Sequence, residues 1–295
     1  MLEIDDLCLT IRSDGGEREI LRNVSVSVGR GEAVGLVGES GSGKSMTLRS
    51  ILRIEPPNAT VTGSIRLDGV DVRALSGEPL RMLRARQVSM IAQNPHAVLN
   101  PVLPVHRYLT EGMHDAQGQS IAVARARAGE LLERVGIDEV DRVLAAYPHQ
   151  LSGGMLQRVV IAGAIAGEPA LMLADEPTTA LDVTTQAEVM AILDDCRREL
   201  GMAMLFVTHD LDLAAAVCDR IAVMKDGRIV ETGLPGQLRD HPAHPYTREL
   251  MESRPAGILW SPDDSTGHDS RGPDSTGIDG SGIDSTGIDS SGGAR

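Results

Sequence analysis

The stretch GLVGESGSGKS, residues 35–45, decides the fold of this 295-residue chain. Residues 34–37 form a short apolar run bounded by turn glycines, which reads as a buried strand ending at Gly38. Gly38, Glu39, Ser40, Gly41, Ser42, Gly43, Lys44 and Ser45 then have the spacing of a phosphate loop, and Met46-Thr47-Leu48 opens a helical stretch. The glycines let successive backbone N–H groups turn inward onto phosphate oxygens. Lys44 supplies a point charge for the β- and γ-phosphates, and the Ser45 hydroxyl suits Mg²⁺. Of 28 basic side chains only residues 44 and 225 are Lys, so an Arg-rich chain keeps Lys where a compact ammonium must fit.

A phosphate loop needs acids for its metal and its water. Residues 170–174 read as a second buried strand whose end delivers Asp175 and Glu176 side by side. Adjacent residues at a strand end point different ways, so Asp175 is assigned to Mg²⁺ and Glu176 to the attacking water as general base. Gln93 follows the apolar run VSMIA and His209 follows MAMLFVT. In open α/β sheets ligands bind beyond the carboxyl ends of the strands. Gln93 is therefore assigned to the metal or the water, and His209 to a hydrogen bond with the γ-phosphate.

LSGGMLQR, residues 151–158, has a Ser and two Gly at the start of a helical pattern that continues through Leu156, Val159, Val160 and Ala164. Two consecutive Gly weaken a helix start and imply that something approaches the backbone closely. Ser152, Gly153 and Gly154 at a helix N-terminus form an anion site, in a chain that already has a complete phosphate cradle.

The ordered set of phosphate loop, Gln93, LSGG, Asp175-Glu176, ALD (180–182) and His209 resembles the ATP-binding subunit of an ABC transporter, from about Leu2 to Ser253. The resemblance implies an α/β fold: a P-loop, RecA-like ABC ATPase core with an inserted helical subdomain and an N-terminal antiparallel β portion. It implies ATP and Mg²⁺ as cofactors. In that family the LSGG helix binds the ATP held by the opposite subunit, and Asp182 reaches across the same dimer. Implied partners are a second ATPase subunit, integral-membrane permease subunits and, indirectly, an extracytoplasmic substrate-binding protein. QNPHAVLNP, YPHQLSGGMLQRV, ADEPTTALDVTTQAEV and HPAHPYTREL are similar to the peptide/nickel importer branch, which moves oligopeptides, dipeptides, nickel or metal chelates.

Two features depart from that pattern. An aromatic that stacks on adenine in the family corresponds here to the neighbourhood of Ile11, where an apolar contact replaces stacking. Cysteines after the HPYT segment, found in many members of the branch, are missing, since the only Cys are 8, 196 and 218. No iron–sulfur cluster is expected.

The rest of the chain agrees with a reducing compartment and a membrane reached through a partner. Three scattered Cys do not make a disulfide framework. No apolar run reaches the roughly 18 residues of a spanning helix, and no secretory signal is expected at the N-terminus. The expected location is the cytoplasmic face of the cell membrane. A net charge of −14 argues against nucleic acid as a ligand. The expected organisation is a cassette over residues 1–253, with a helical subdomain at about 96–158, and a tail over 254–295. From Asp264 to Gly293 the tail repeats the pentads DSTGH, DSRGP, DSTGI, DGSGI, DSTGI and DSSGG, with Gly fourth in each. Its apolar content is too small to bury, and disorder is expected.

Two alternatives stand beside an importer subunit. A soluble repair-type ABC ATPase calls for a long coiled coil between Ser45 and Asp175, where no sustained heptads occur, and translation types carry two cassettes. A regulatory cassette conflicts with the intact Glu176 and His209.

Overall fold

A computed structural model describes residues 1–13, 15–115, 117–178 and 181–252. The pentad repeat and the expected disorder of 254–295 lie outside them. The described part contains two sheets. Strands β1 (Leu2–Ser13), β2 (Gly16–Val28), β4 (Ala59–Leu67) and β5 (Val70–Asp71) form an antiparallel sheet in the order β2-β1-β4-β5. Strands β3 (Ala33–Val37), β6 (Val88–Ile91), β7 (Leu171–Asp175), β8 (Ala203–Thr208), β9 (Arg220–Lys225) and β10 (Arg228–Gly233) form the second, in the order β10-β9-β3-β8-β7-β6. All neighbours in the second sheet are parallel except β10 with β9. The strand at 34–37 therefore leaves its sequence neighbours and joins the parallel sheet, between β8 and β9.

Uninterrupted apolar runs in β3, β7 and β8 follow from burial of both sheet faces. Val34, Leu36, Leu171, Leu173, Leu205 and Val207 pack toward the antiparallel sheet. The alternating residues Val37, Met172, Ala174, Met204 and Phe206 pack toward helices on the other face.

The helices are α1 (Lys44–Leu52), α2 (Gly77–Arg86), α3 (Val105–Asp115), α4 (Ile121–Arg134), α5 (Val140–Ala145), α6 (Gly153–Ile165), α7 (Val183–Leu200), α8 (Leu211–Val217), α9 (Pro235–Asp240) and α10 (Pro245–Glu252). Helices α3 to α6 all fall between β6 and β7. Leu109, Met113, Leu131, Leu132, Val143 and Val159 bury one face of each against a core shared with the parallel sheet. The basic residues of α4 lie on its exposed side, where Arg127 pairs with Glu130 and Glu168. Among the described residues no helix is long and apolar enough to cross a membrane.

Asp226-Gly227 joins β9 to β10, with φ of 47° and 78° at its two residues, the left-handed conformation that a two-residue hairpin turn requires. A Cβ on Gly227 would collide with the Ile20 carbonyl. Its N–H donates to the Ser42 carbonyl at 2.9 Å and its own carbonyl accepts the Arg22 N–H at 2.8 Å. The turn thus wedges between β2 and the loop that follows β3.

Candidate active site

The parallel register brings four strand ends to one edge of the sheet, where β3 leads into the loop 38–45. Gly38 has no room for a side chain, because a Cβ would strike the Met224 carbonyl. Gly43 takes a φ of 110° and caps α1 with no side-chain hydrogen bond, so the first amides of that helix are left for an external acceptor. By contrast, α6 and α7 are capped by Ser152 and Asp182.

Lys44 is buried, and its Nζ donates to the Gly38 carbonyl at 2.7 Å and the Glu39 carbonyl at 2.8 Å. Among the described residues no carboxylate lies in ion-pairing distance of it. Burial lowers its pKa, against the opposing pull of Glu176, Asp175 and Glu39. A buried ammonium without an anion in contact fits a phosphate, and so does the Ser42 hydroxyl, buried with no hydrogen-bond partner among the described residues. Glu39, Ser40 and Gly41 form the outer rim of this loop, Gly41 with a φ of 84°.

Ser45 Oγ donates to Asp175 Oδ1 at 2.8 Å. Asp175 is buried, and that burial raises its pKa against the opposing Ser45 hydrogen bond. A hydroxyl beside a desolvated carboxylate suits a hard divalent cation such as Mg²⁺. Glu176 departs from strand geometry with a φ of 45°, and its N–H donates to the Val207 carbonyl at 2.9 Å. The chain thus leaves the strand between the two carboxylates. Gln93 Nε2 donates to Glu176 Oε2 at 3.2 Å, and His209 Nδ1 meets the same oxygen at 3.3 Å. If Nδ1 carries the proton, a neutral His209 has Nε2 as an acceptor. It then donates to a phosphate only as imidazolium, or after leaving Glu176.

Ser152, Gly153, Gly154 and Asp182 form a second group. Ser152 Oγ accepts the Met155 N–H at 3.3 Å, capping α6. Asp182 accepts from the Thr185 N–H at 3.1 Å and the Thr185 hydroxyl at 2.8 Å, bonds that hold its carboxyl below the usual range. The Thr185 methyl would lie 2.9 Å from a Cβ on Gly154. The close approach implied by two consecutive Gly is thus made, at Gly154, by this chain's own α7.

Residues 21–179 match the family described as ABC transporter. The chain belongs to that family. This ABC protein is 42% identical over 257 residues to the oligopeptide transport ATP-binding protein OppD of Bacillus subtilis, covering 86% of this chain and 72% of that one. It is 40% identical over 266 residues to OppD of Lactococcus lactis, covering 89% and 78%. Among solved structures, the dimeric ATP-binding cassette MJ0796, in a post-hydrolysis state bound to ADP and Pi, aligns with a TM-score of 0.72. The two are 30% identical, with 80% of this chain and 99% of that one covered. The ABC chain is an ATPase with the α/β fold of those cassettes.

One contact at the loop 38–45 of this ABC cassette leaves no local trace in the sequence of that loop. The Tyr246 hydroxyl accepts the Glu39 N–H at 2.9 Å, across 207 residues. HPAHPYTREL, one of the stretches similar to the importer branch, carries the only signal of it.

Proposed function

We propose that this chain is one of two ATPase subunits of a peptide importer, each pair of sites holding ATP between the phosphate loop of one subunit and the LSGG helix of the other. The observation that carries this reading is that contacts gather the candidate residues into two groups, one at residues 38–45 with Gln93, Asp175, Glu176 and His209, the other at Ser152–Gly154 with Asp182. Thr185 ties the second group together. The likeness to a cassette solved as a dimer with ADP and Pi supports sharing between subunits. Relatives named for oligopeptide transport support peptides over nickel or chelates.

In this reading Lys44 and the α1 amides bind the β- and γ-phosphates, and Ser45, Asp175 and Gln93 hold Mg²⁺. The bound ion would neutralise charge developing on the phosphoryl oxygens. Glu176 accepts a proton from the water that attacks the γ-phosphorus, as the bond to the ADP oxygen breaks. Gln93 and His209 orient the Glu176 carboxylate through its Oε2, so the base is set before substrate arrives. Ser152, Gly153 and Gly154 close the partner's site, and Asp182 faces the same junction.

In a peptide importer this chain would work with permease subunits, which would hold it at the cytoplasmic face of the cell membrane. Affinity capture of the tagged chain from detergent-solubilised membranes tests this. Recovery of an integral-membrane permease and a second cassette is expected, and capture of neither from intact membranes overturns the importer reading.

A further inference from the structure

The Gly38–Glu39 peptide unit is held on both edges. A trans peptide points its C=O and N–H in opposite directions within one plane. Here the Gly38 carbonyl accepts the Lys44 ammonium at 2.7 Å, while the Glu39 N–H donates to the Tyr246 hydroxyl at 2.9 Å. The next carbonyl, of Glu39, accepts Lys44 again at 2.8 Å and the Ser42 N–H at 3.2 Å. Rotation of this plane would therefore displace the ammonium.

Tyr246 is itself fixed. It is 2% exposed, at the start of α10. Lys225 Nζ sits 4.2 Å from its ring centroid and 3.9 Å from Glu249. The segment that carries it is fastened to β10 by Glu231, which accepts the Ala243 N–H at 2.8 Å and the His244 N–H at 3.0 Å. Both lysines of the chain thus bear on one loop, Lys44 inside it and Lys225 through the Tyr246 ring.

We propose that Tyr246 is a positioning residue for nucleotide binding: its hydroxyl sets the Gly38–Glu39 peptide plane, and through that plane the Lys44 ammonium that meets the phosphates. The hydroxyl touches no reacting atom. Its effect is to remove freedom from a loop that otherwise has to be ordered by the nucleotide.

This rests on the reading of residues 38–45 as the phosphate cradle, so the test carries a separate check of that reading. Full-length Tyr246→Phe keeps the ring beneath Lys225 and removes only the hydroxyl. Calorimetric titration with ADP, which needs no turnover, should show its Kd raised about 3–10-fold, the range for one net hydrogen bond. The melting temperature should stay within about 2 °C of the parent. Tyr108→Phe, which removes a hydroxyl between α3 and α6, should leave Kd unchanged. An unchanged Kd in Tyr246→Phe, an equal rise in Tyr108→Phe, or a rise accompanied by a larger loss of melting temperature overturns the proposal. If Lys44→Ala binds ADP like the parent, the cradle reading itself falls. If Lys44→Ala loses ADP and Tyr246→Phe does not, only the positioning role falls.

Discussion

Ser45 Oγ donates to Asp175 Oδ1 at 2.8 Å, joining the start of α1 to the end of β7. Burial raises the Asp175 pKa above its unfolded value. The sign for stability follows directly. Whatever this group contributes is full below the unfolded pKa of 3.8 and is lost as pH rises through the raised folded value. At neutral pH the ionised carboxylate is a stability cost, which the proposed Mg²⁺ site would account for. Asp175→Asn preserves the Ser45 bond without the charge. It should raise the melting temperature at pH 7 by about 1–3 °C while Mg²⁺-dependent hydrolysis collapses. Scanning calorimetry from pH 7 to pH 4 should show the gain shrinking as the parent carboxyl takes its proton.

Glu176 presents a carboxylate whose Oε2 is already engaged by Gln93 and His209. Glu176→Gln keeps the shape of that side chain and removes the proposed base. Hydrolysis should fall by roughly 10²–10⁴-fold with ATP affinity intact. Size-exclusion chromatography in ATP should then show a dimer that the parent forms only briefly. Turnover at the parental rate would take the proton-accepting role away from Glu176.

Gly154 and Thr185 offer a paired test of the second group. A methyl on Gly154 would lie 2.9 Å from the Thr185 methyl, so Gly154→Ala forces α6 and α7 apart. That strain should outweigh the roughly 1 kcal/mol by which Ala favours a helix, lowering the melting temperature by about 2–4 °C. Thr185→Ser removes the clashing methyl and keeps the hydroxyl on Asp182. The double variant should recover the loss, a non-additivity expected only of residues in contact. Stabilisation by Gly154→Ala alone would show that these helix starts are not tightly packed.

Sharing of sites between chains has its own signature. Ser152→Arg should bind ATP like the parent, since residues 38–45 are untouched, yet fail to hydrolyse it. Lys44→Ala should lose nucleotide. A mixture of the two contains heterodimers with one doubly damaged site and one intact site, the cradle from the first variant and LSGG from the second. Partial recovery of ATPase activity in the mixture is the expected result. A Ser152→Arg chain that turns over normally with its permease would make LSGG a helix start and nothing more.

Much of this arrangement could be read from local pattern. The apolar runs before Gly38, Gln93, Asp175 and His209 correspond to β3, β6, β7 and β8, and parallel strands necessarily bring such ends to one edge. The Asp226-Gly227 dipeptide also marks its turn in the sequence, since few dipeptides accept two left-handed residues in succession. Less visible was the first half of β2, where GEREILRN lies in a largely exposed hairpin and shows no apolar alternation. The left-handed Glu176 also left no trace, because a non-glycine residue gives no sign of positive φ. Tyr246 was legible as a motif and not as a contact: pairing across 207 residues depends on how α10 docks, which no local periodicity encodes.

The position of β3 has a consequence for how the protein is made. This strand, complete by residue 37, lies between β8 and β9, which span residues 203–208 and 220–225, and its loop is closed by a tyrosine at 246. A ribosome adding about 5–20 residues per second leaves residues 38–45 without these partners for roughly 10–40 s after they have been joined. The two edges of β3 are unpaired for that interval, and a nascent chain halted before β8 carries residues 38–45 without either neighbouring strand. The strands beside β3 and the tyrosine that closes its loop all lie beyond residue 200, so the loop gains these partners late and close together.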